Sequence, residues 1–382
     1  MNKKPEVAIF FFADAFGWEI LKRYKFLKSI CPYKHRLDTV FGYSSTAMPS
    51  IFSGRIPSSH GHFSCFYYSP ETSPFKILKW MKLLPSSIAD RGRVRNIISR
   101  LLTRLYGFTG YFQIYNVPFD RIAYFDYSEK DDIFKPGGLL HGESIFDELE
   151  KHQITYHCPD WHLSDQDQID SLYQELEKQK ITWAFMHTAR LDNVMHLIGT
   201  KGEKVDKVVA WYEEQAQRLW DQAHKYYERV SFYFFSDHGM TDVTDQYDVR
   251  SKIEVLGLEF GKDYAAFYDS TMARIWFLND QAEKKIKETL SQLDCGRIVS
   301  EEELDKWGVN FPDHKYGDLI FLMNPGHLII PGDMGLRPIP GMHGYDPEDL
   351  DSYAHLSTNV KLDPPPRSIA DMYQVMLQDA LR

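Results

Sequence analysis

The chain has 382 residues, of which 43% are hydrophobic, 26% charged and 15% aromatic. These proportions are typical of a globular protein with a large core and exclude a disordered chain. The 54 acidic and 44 basic residues give a net charge of -10, which excludes a protein that coats nucleic acid through a basic surface. A small anionic substrate is compatible with this charge if metal ions neutralise the site locally.

Three apolar segments end in side chains that are suited to binding a ligand. They cover residues 7–13, 181–186 and 230–235, and they are followed by Asp14, by His187 and by Ser236-Asp237-His238. We interpret them as buried parallel strands, because their apolar runs are nearly continuous. Ligands of open α/β sheets bind beyond the carboxyl ends of the strands, so the three ends predict one shared site.

Helical patterns lie between and after these strands. Residues 166–178 and 204–229 are charged, apolar-periodic and free of Pro and Gly, which predicts two helices. A strand at 273–278, a helix at 281–293, a strand at 317–323 and a terminal helix at 369–381 follow. The alternation predicts an α/β fold, a three-layer α/β/α sandwich with a mostly parallel central sheet.

Composition divides the chain into a core and two insertions. We assign residues 1–65, 141–255 and 326–382 to the core, 66–140 to an aromatic and basic cap, and 256–325 to a small α+β insertion. Between positions 75 and 104, eight basic residues accompany one acidic residue, Asp90. We expect both insertions to cover the site.

The cysteines and the apolar runs indicate the compartment. Cys31, Cys65, Cys158 and Cys295 are widely separated and form no Cys-x-x-Cys pair, which favours reduced thiols over a disulfide framework or a zinc knuckle. No apolar run approaches the roughly 18 residues of a membrane span. The apolar run at residues 7–12 is also shorter than the core of a secretory leader. We therefore expect a cytoplasmic protein without a transmembrane segment.

Six side chains at turns and strand ends have the ligand types of a metal site. They are Asp14, Asp192, His196, Asp237, His238 and His343. Neutral imidazole and carboxylate oxygen suit Zn²⁺, Mn²⁺ or Fe²⁺. Six ligands exceed the need of one tetrahedral ion and suffice for two ions. Two ions about 3.5–4 Å apart hold the attacking and leaving oxygens of an in-line phosphoryl displacement.

Each of these residues has a simpler explanation when it is taken alone. Asp14 is suited to capping a helix, and Asp237-His238 is suited to a plain turn. Asp192 and His196 have the i, i+4 spacing of a surface pair on a helix. The prediction of a metal site therefore depends on the occurrence of all six residues together.

A hydroxyl nucleophile is expected beside such ions. Ser44, Ser45 and Thr46 are consecutive and offer three hydroxyl groups. Metal coordination lowers the pKa of a serine hydroxyl, so no neighbouring base is required.

These motifs, in their order along the chain, resemble the alkaline phosphatase superfamily and most closely its type I phosphodiesterase/nucleotide pyrophosphatase family. That family opens with a strand ending in a metal-binding Asp, as at Asp14. Its nucleophile lies ten residues before the Gly of a Thr-Gly pair, here Ser53-Gly54, which selects Ser44. A His-Gly pair follows six residues after that Gly, as at His60.

Three further motifs of the family match between residues 190 and 346. The Asp-x-x-x-His pair corresponds to Asp192 and His196, and Asp-His-Gly-Met corresponds to residues 237–240. Gly-x-His-Gly-Tyr-Asp corresponds to residues 341–346. The resemblance implies that one metal ion is held by Asp192, His196 and His343, and the other by Asp14, Asp237 and His238, with Ser44 as an additional ligand.

The resemblance also implies the chemistry. We expect two divalent ions, Zn²⁺ or Mn²⁺, and a phosphoseryl intermediate in the hydrolysis of a small-molecule phosphodiester, nucleotide or pyrophosphate. A monoester carries an additional negative charge, for which the sequence offers no third ligand cluster. A phosphotransferase resembling the phosphoethanolamine transferases, a phosphomonoesterase and a phosphonate hydrolase stay as alternatives on the same site. The Cys-x-Pro-x-Arg run of sulfatases is absent.

The nucleophile loop departs from the family pattern. The family usually has Pro two residues after the nucleophile, whereas Pro49 lies five residues after Ser44 and four after Ser45. Ser45 and Thr46 therefore stay candidates, in the order Ser44, Ser45, Thr46. The usual Asn after that Pro is also absent.

The neighbouring residues have less specific roles. We expect His60 to position the nucleophile loop and Arg190 to form a surface ion pair. His187 is expected either to orient a metal ligand or to be a hydrogen-bonded histidine at the end of a strand. Asp269 and Arg274 are expected to pair structurally.

The cap contains an apolar segment with regularly spaced lysines. Residues 75–84 place lysines three residues apart, and a helix-like run follows at 94–106. Such a segment suits a membrane interface, and with it a lipid-linked substrate. A cap whose lysines extend from its own small core is the interpretation that we prefer. The oligomeric state is not readable from the sequence.

Overall fold

The computed structural model describes residues 4–85 and 91–382. Asp90 of the basic segment and residues 1–3 and 86–89 lie outside this part. The strands are β1 (Lys4–Ala13), β2 (Tyr33–Leu37), β3 (Phe66–Tyr68), β4 (Phe125–Tyr127), β5 (Tyr156–His157), β6 (Trp183–Thr188), β7 (Tyr227–Phe235), β8 (Thr241–Asp242), β9 (Asp245–Tyr247), β10 (Tyr264–Tyr268), β11 (Met272–Phe277), β12 (Gly296–Ile298), β13 (Leu319–Met323), β14 (His327–Ile329), β15 (Gly341–Met342) and β16 (Ala354–Thr358).

Helices and short 3₁₀ turns connect these strands. The α-helices are α1 (Trp18–Leu21), α2 (Ser44–Ser53), α3 (Pro57–His60), α4 (Gly92–Tyr106), α5 (Ile145–Lys151), α6 (Asp165–Glu177), α7 (Arg190–Ile198), α8 (Glu203–Tyr226), α9 (Val249–Glu254), α10 (Asp280–Leu290), α11 (Glu301–Lys306) and α12 (Met372–Ala380). The 3₁₀ helices are Pro74–Leu83, Ile122–Tyr124, Leu350–Ser352 and Ile369–Asp371. Within the described residues, every helix is too short or too polar to cross a bilayer.

A six-stranded sheet forms the centre of the molecule. Its strand order is β2-β16-β7-β1-β6-β5. The four strands β7, β1, β6 and β5 run parallel, and β16 pairs antiparallel with both β7 and β2. The predicted mixed α/β fold with a mostly parallel sheet is thus confirmed.

Strand β1 is apolar without interruption because both faces of the sheet are covered. Ile9 and Phe11 belong to a core shared with residues of α6 and α8. Phe10 and Phe12 belong to the opposite core, shared with residues of α2 and α12. Helices on both faces explain why the strand lacks the polar alternation of a half-exposed sheet.

The two inserted segments contain small sheets of their own. Strands β3 and β4 pair within the cap, and β10-β11-β13-β12 form a four-stranded sheet within residues 256–325. Phe66, Phe75 and Tyr127 of the cap share a buried cluster with Phe267 and Trp276 of the four-stranded sheet. The two insertions therefore pack against each other.

The carboxyl end of α8 differs from the sequence prediction. The apolar-periodic pattern predicts a helix up to residue 229, whereas α8 ends at Tyr226 and β7 begins at Tyr227. Tyr227 pairs with Lys4 of β1, and its hydroxyl donates to the carbonyl of Ile181. Pairing with the central sheet overrides the local helical preference of these residues.

Candidate active site

The carboxyl edge of the central sheet gathers the predicted ligands. Asp14 directly follows β1, and Asp237 and His238 follow β7. Helix α7, which follows β6, carries Asp192 and His196 one turn apart. The fourth segment is the loop after β15, which contains His343. Because β1, β6 and β7 are parallel, their carboxyl ends open at the same edge.

The first ligand group consists of Asp14, Asp237 and His238. Each of the three is buried, and each offers one ligand atom within 4.8 Å of the others. The Nε2 atom of His238 lies 3.2 Å from Asp237 Oδ2 and 3.5 Å from Asp14 Oδ1. Two carboxylates and one imidazole at these distances form a suitable ligand set for Zn²⁺ or Mn²⁺.

The second group consists of Asp192, His196 and His343, which are partly buried. Asp192 Oδ1 lies 3.2 Å from His196 Nε2 and 3.7 Å from His343 Nε2. The two groups adjoin, because the rings of His238 and His343 stack with a centroid separation of 3.8 Å. The structure thus brings together all six side chains that the sequence selects.

Backbone carbonyls orient two of the imidazoles. Nδ1 of His238 lies 2.8 Å from the carbonyl of Gly239, and Nδ1 of His196 lies 2.8 Å from the carbonyl of Gly341. A carbonyl only accepts, so both Nδ1 atoms carry the proton and both Nε2 atoms present a lone pair. Metal-binding histidines are typically held by a second hydrogen bond of this kind.

The unpartnered atoms of the two groups show that cations fit. Asp14 Oδ1, Asp192 Oδ1 and Asp237 Oδ2 are buried without a hydrogen-bond donor. Burial raises the pKa of Asp14 well above its ordinary value, and the neighbouring Asp237 and Asp192 raise it further. Burial likewise raises the pKa of Asp237. Divalent ions would compensate this concentrated negative charge.

Burial also shifts the pKa values of histidines in the site. Burial lowers the pKa of His343 well below its usual range, and the charges of His238 and His196 lower it further. For His196, burial opposes the charged form, but the adjacent carboxylate of Asp192 outweighs it and raises the pKa. A neutral His343 is ready to act as a ligand near neutral pH.

Ser44 lies at the start of α2, beside the first ligand group. Its Oγ is 3.2 Å from His238 Nε2. The amides of Thr46 and Ala47 donate to the carbonyl of Tyr43, which leaves the amides of Ser44 and Ser45 as the first unbonded donors of the helix. A helix amino terminus stabilises negative charge on a hydroxyl oxygen or on a phosphate.

The other two hydroxyls of this segment are placed differently. Thr46 is buried, and its hydroxyl donates to the carbonyl of Phe63. Ser45 lines the same cavity as Ser44, but within the described residues its Oγ forms no hydrogen bond with any of the six predicted ligands. Pro49, whose position departs from the family pattern, lies inside α2.

A cavity of about 480 Å³ lies over the two ligand groups. Its walls combine core residues with cap residues, including Tyr111, Tyr115, Glu129 and Phe134. Sequence reasoning missed Glu129, whose carboxyl is buried, and burial raises its pKa to about 7. An isolated Glu after a short strand carries no motif, so no sequence signal identifies it.

The neighbouring residues take mostly structural positions. His60 is buried, and its Nε2 lies 2.9 Å from the hydroxyl of Ser50 in α2, in agreement with a positioning role. His187 lines the cavity and stacks on Phe12, and burial lowers its pKa to about 4. Arg190 differs from the expected surface ion pair, since its guanidinium lies 3.7 Å from the ring centroid of Trp211.

Comparison with known proteins gives the family. A search of curated proteins by sequence found no match. The structures of human and murine ectonucleotide pyrophosphatase/phosphodiesterase 5 are similar in fold, each with a TM-score of 0.69. The human protein is 13% identical, and its alignment covers 99% of this chain and 95% of the human one. The murine protein is 14% identical, and its alignment covers 98% of this chain and 95% of the murine one. An inactive murine variant in complex with AMP aligns equally well, at 13% identity and a TM-score of 0.69, over 99% of this chain and 95% of that one.

The sequence itself shows the family directly. The family model of type I phosphodiesterase/nucleotide pyrophosphatase matches residues 8–346, which include all six predicted metal ligands and Ser44. The chain therefore belongs to the type I phosphodiesterase/nucleotide pyrophosphatase family and is a hydrolase.

Proposed function

We propose that the chain hydrolyses phosphodiester or pyrophosphate bonds of small molecules through a phosphoseryl intermediate on Ser44. The observation that carries this proposal is the position of Ser44. Its Oγ lies at a helix amino terminus and 3.2 Å from Nε2 of His238, a member of the first ligand group. No other hydroxyl of the Ser44-Ser45-Thr46 segment has this combination in the described structure.

Two divalent ions complete the proposed site. Asp14, Asp237 and His238 would hold one ion, and Asp192, His196 and His343 the other. The donor set of three carboxylates and three imidazoles suits zinc, with manganese as the alternative. Bound there, the ions would supply the positive charge that lowers the pKa of the Ser44 hydroxyl and stabilises charge on the phosphoryl oxygens.

The residues of the chain position the reacting atoms. Ser44 Oγ attacks phosphorus, the bond from phosphorus to the leaving oxygen breaks, and the leaving oxygen takes up the proton that the serine hydroxyl loses. The amides of Ser44 and Ser45 are placed to bind a non-bridging oxygen. Water then attacks the phosphorus of the phosphoseryl group, the bond from phosphorus to Ser44 Oγ breaks, and the proton that the water loses restores the serine hydroxyl. These steps release an alcohol first and a phosphomonoester second.

The cavity supports a small-molecule phosphodiester or pyrophosphate as substrate, in preference to a phosphomonoester. Its volume of about 480 Å³ accommodates a nucleotide-sized molecule. None of the described residues that line it is Lys or Arg, so no protein cation is placed to meet the additional charge of a monoester. AMP, which the inactive murine relative binds, is a phosphomonoester of the kind that cleavage of a nucleotide diester would release, in keeping with a nucleotide substrate. We also propose a cytoplasmic location, on the basis of the scattered free cysteines.

The proposal is tested by metal content and activity together. Wild type, Ser44→Ala and Ser45→Ala are loaded with zinc or manganese and assayed on bis-p-nitrophenyl phosphate. We expect two ions per wild-type chain and a loss of at least about a thousandfold in kcat for Ser44→Ala. We expect Ser45→Ala to retain most of its activity. Loss in Ser45→Ala alone would assign the nucleophile to Ser45, and inactivity of the metal-loaded wild type on diesters would refute the hydrolysis proposal.

A further inference from the structure

The cap exposes an apolar surface that no described part of the chain covers. Its residues, here called the outer cap surface, are Ile77, Trp80 and Leu83 of the 3₁₀ helix and Ile97, Leu101 and Leu105 of α4. Each of the six is between 56% and 78% exposed. Spacings of three on a 3₁₀ helix and of four on an α-helix place each set of three on one face.

The same two elements are already packed through their other faces. Phe75 and Leu78 of the 3₁₀ helix and Ile98 and Leu102 of α4 are buried in the cluster that joins the cap to the four-stranded sheet. The hydroxyl of Tyr106, at the end of α4, donates to the carbonyl of Pro74 over 2.6 Å. The inner faces of the two elements therefore pack in a core that the cap shares with the four-stranded sheet, and the outer cap surface is additional apolar area on their exposed faces.

The charge of these elements is uniformly positive. Residues 74–85 and 91–107 contain eight Lys or Arg and no Asp or Glu, in a chain whose net charge is -10. Lys79, Lys82, Arg93, Arg100 and Arg104 are exposed and form no ion pair within the described residues. At about 100° per residue, the three exposed arginines of α4 lie beside the Ile97-Leu101-Leu105 stripe.

We propose that the outer cap surface docks on an anionic lipid bilayer. A bilayer surface takes up apolar side chains at its acyl boundary and attracts basic side chains through its anionic head groups, so it fits both properties. A second copy of the chain fits less well, because a twofold contact would bring two uncompensated positive surfaces together. The long lysine and arginine side chains keep their charges at the level of the head groups.

Part of the cavity wall belongs to the same insertion as the outer cap surface. The chain runs from the end of α4 at Tyr106 to Tyr111 and Tyr115, which line the cavity. The docking itself does not depend on the proposed catalytic chemistry.

The experiment measures vesicle binding of the full chain. Wild type is sedimented with vesicles of phosphatidylcholine containing about one third phosphatidylglycerol, and with vesicles of phosphatidylcholine alone. We expect binding to the anionic vesicles that weakens as salt is raised, and at least about tenfold weaker binding to the neutral ones. Equal binding to both compositions, or no binding to either, would overturn the proposal.

Two variants and a matched control locate the contact. We expect Ile97→Ser/Leu101→Ser/Leu105→Ser and Lys79→Gln/Lys82→Gln/Arg100→Gln each to weaken binding to anionic vesicles at least about tenfold. Val255→Ser/Leu350→Ser removes exposed apolar side chains elsewhere and should bind as wild type does. Wild-type binding by both cap variants would refute the assignment. A dimer that dissociates in the apolar variant, without vesicle binding, would assign the surface to a second copy.

Discussion

The hydroxyl of Tyr43 lies 2.8 Å from the hydroxyl of Thr271 and joins two separate parts of the fold. Tyr43 precedes the nucleophile helix α2, whereas Thr271 lies in the turn between β10 and β11. The amide of Thr271 donates to the Tyr43 oxygen over 3.1 Å, and its hydroxyl donates to the carbonyl of Gly344 over 2.7 Å. Since Gly344 follows His343, this turn holds the nucleophile segment and a predicted ligand segment in register.

Removal of the Tyr43 hydroxyl should therefore impair catalysis more than stability. For Tyr43→Phe we expect kcat for bis-p-nitrophenyl phosphate to fall about tenfold, because a small displacement of Ser44 is costly for in-line attack. The free energy of unfolding should fall by about 1 kcal/mol, the usual contribution of one hydrogen bond. Steady-state kinetics and urea denaturation measure the two effects.

A matched tyrosine and a double variant separate positioning from general destabilisation. The Tyr67 hydroxyl donates to Asp126 over 3.1 Å, outside the site, so Tyr67→Phe should lose similar stability and keep its kcat. Tyr43→Phe/Thr271→Val should be no slower than the slower single variant, since both remove the same link. Fully additive losses in kcat would show that the two hydroxyls act independently.

The sequence is sufficient to predict the central sheet and the residues at its carboxyl edge. Strand β1 is buried on both faces, and a strand in that environment consists almost entirely of apolar residues, which is visible in the sequence. Asp14 and Asp237 follow such strands, and Asp192 and His196 have helical spacing. Local sequence patterns are therefore enough to predict where these four residues lie in the fold. The order of motifs then selects the six residues that the structure brings together.

The remaining features depend on contacts between distant residues. Tyr43 and Thr271 are 228 positions apart, and no local pattern links them. The segment around Thr271 carries no catalytic motif, and only its packing against the nucleophile segment shows what it does. The contact between the cap and the four-stranded sheet, such as that of Phe66 with Phe267, is equally invisible in the sequence. Exposure of Leu101 and burial of Leu102 likewise follow from packing and not from residue type.

The two ligand groups should bind their ions separately. We expect His196→Ala and His238→Ala each to retain one tightly bound ion where wild type retains two, because each variant removes an imidazole from only one group. Metal content after dialysis against a weak chelator measures this. His162→Ala, which removes an exposed histidine, should retain both ions. Two ions in both ligand variants would contradict the assignment.

The buried pair of Arg274 and Asp269 should stabilise the junction of the two insertions. Arg274 Nε lies 2.7 Å from Asp269 Oδ2, and the same guanidinium donates to the Phe66 carbonyl and the Ser64 hydroxyl. Asp269→Asn leaves a buried cation without its partner and should lower the free energy of unfolding by about 3–5 kcal/mol. Urea denaturation measures the loss. Glu283→Gln, which breaks the exposed pair with Lys287, should change stability little, and an equally small effect of Asp269→Asn would contradict this role.

Glu129 should make the metal-free protein less stable as the pH rises. Burial raises the pKa of this carboxyl from 4.5 to about 7. The folded state therefore holds the proton more tightly than the unfolded state does. The stability that the protonated group contributes is fully present below pH 4.5 and is lost as the pH rises through about 7. Ionisation of Glu129 then costs at most about 3 kcal/mol, the equivalent of the pKa difference.

Substitution by a neutral isostere should remove this pH dependence. In the presence of a chelator, we expect Glu129→Gln to exceed wild type in free energy of unfolding by about 1–3 kcal/mol at high pH, and the difference to vanish toward low pH. Urea denaturation across this range gives the comparison. Glu143→Gln, at an exposed position, provides the control and should follow wild type throughout. If the difference in free energy of unfolding between Glu129→Gln and wild type stays constant with pH, the effect is due to packing. Only the loss of a titrating carboxyl produces a difference that grows as the pH passes through about 7.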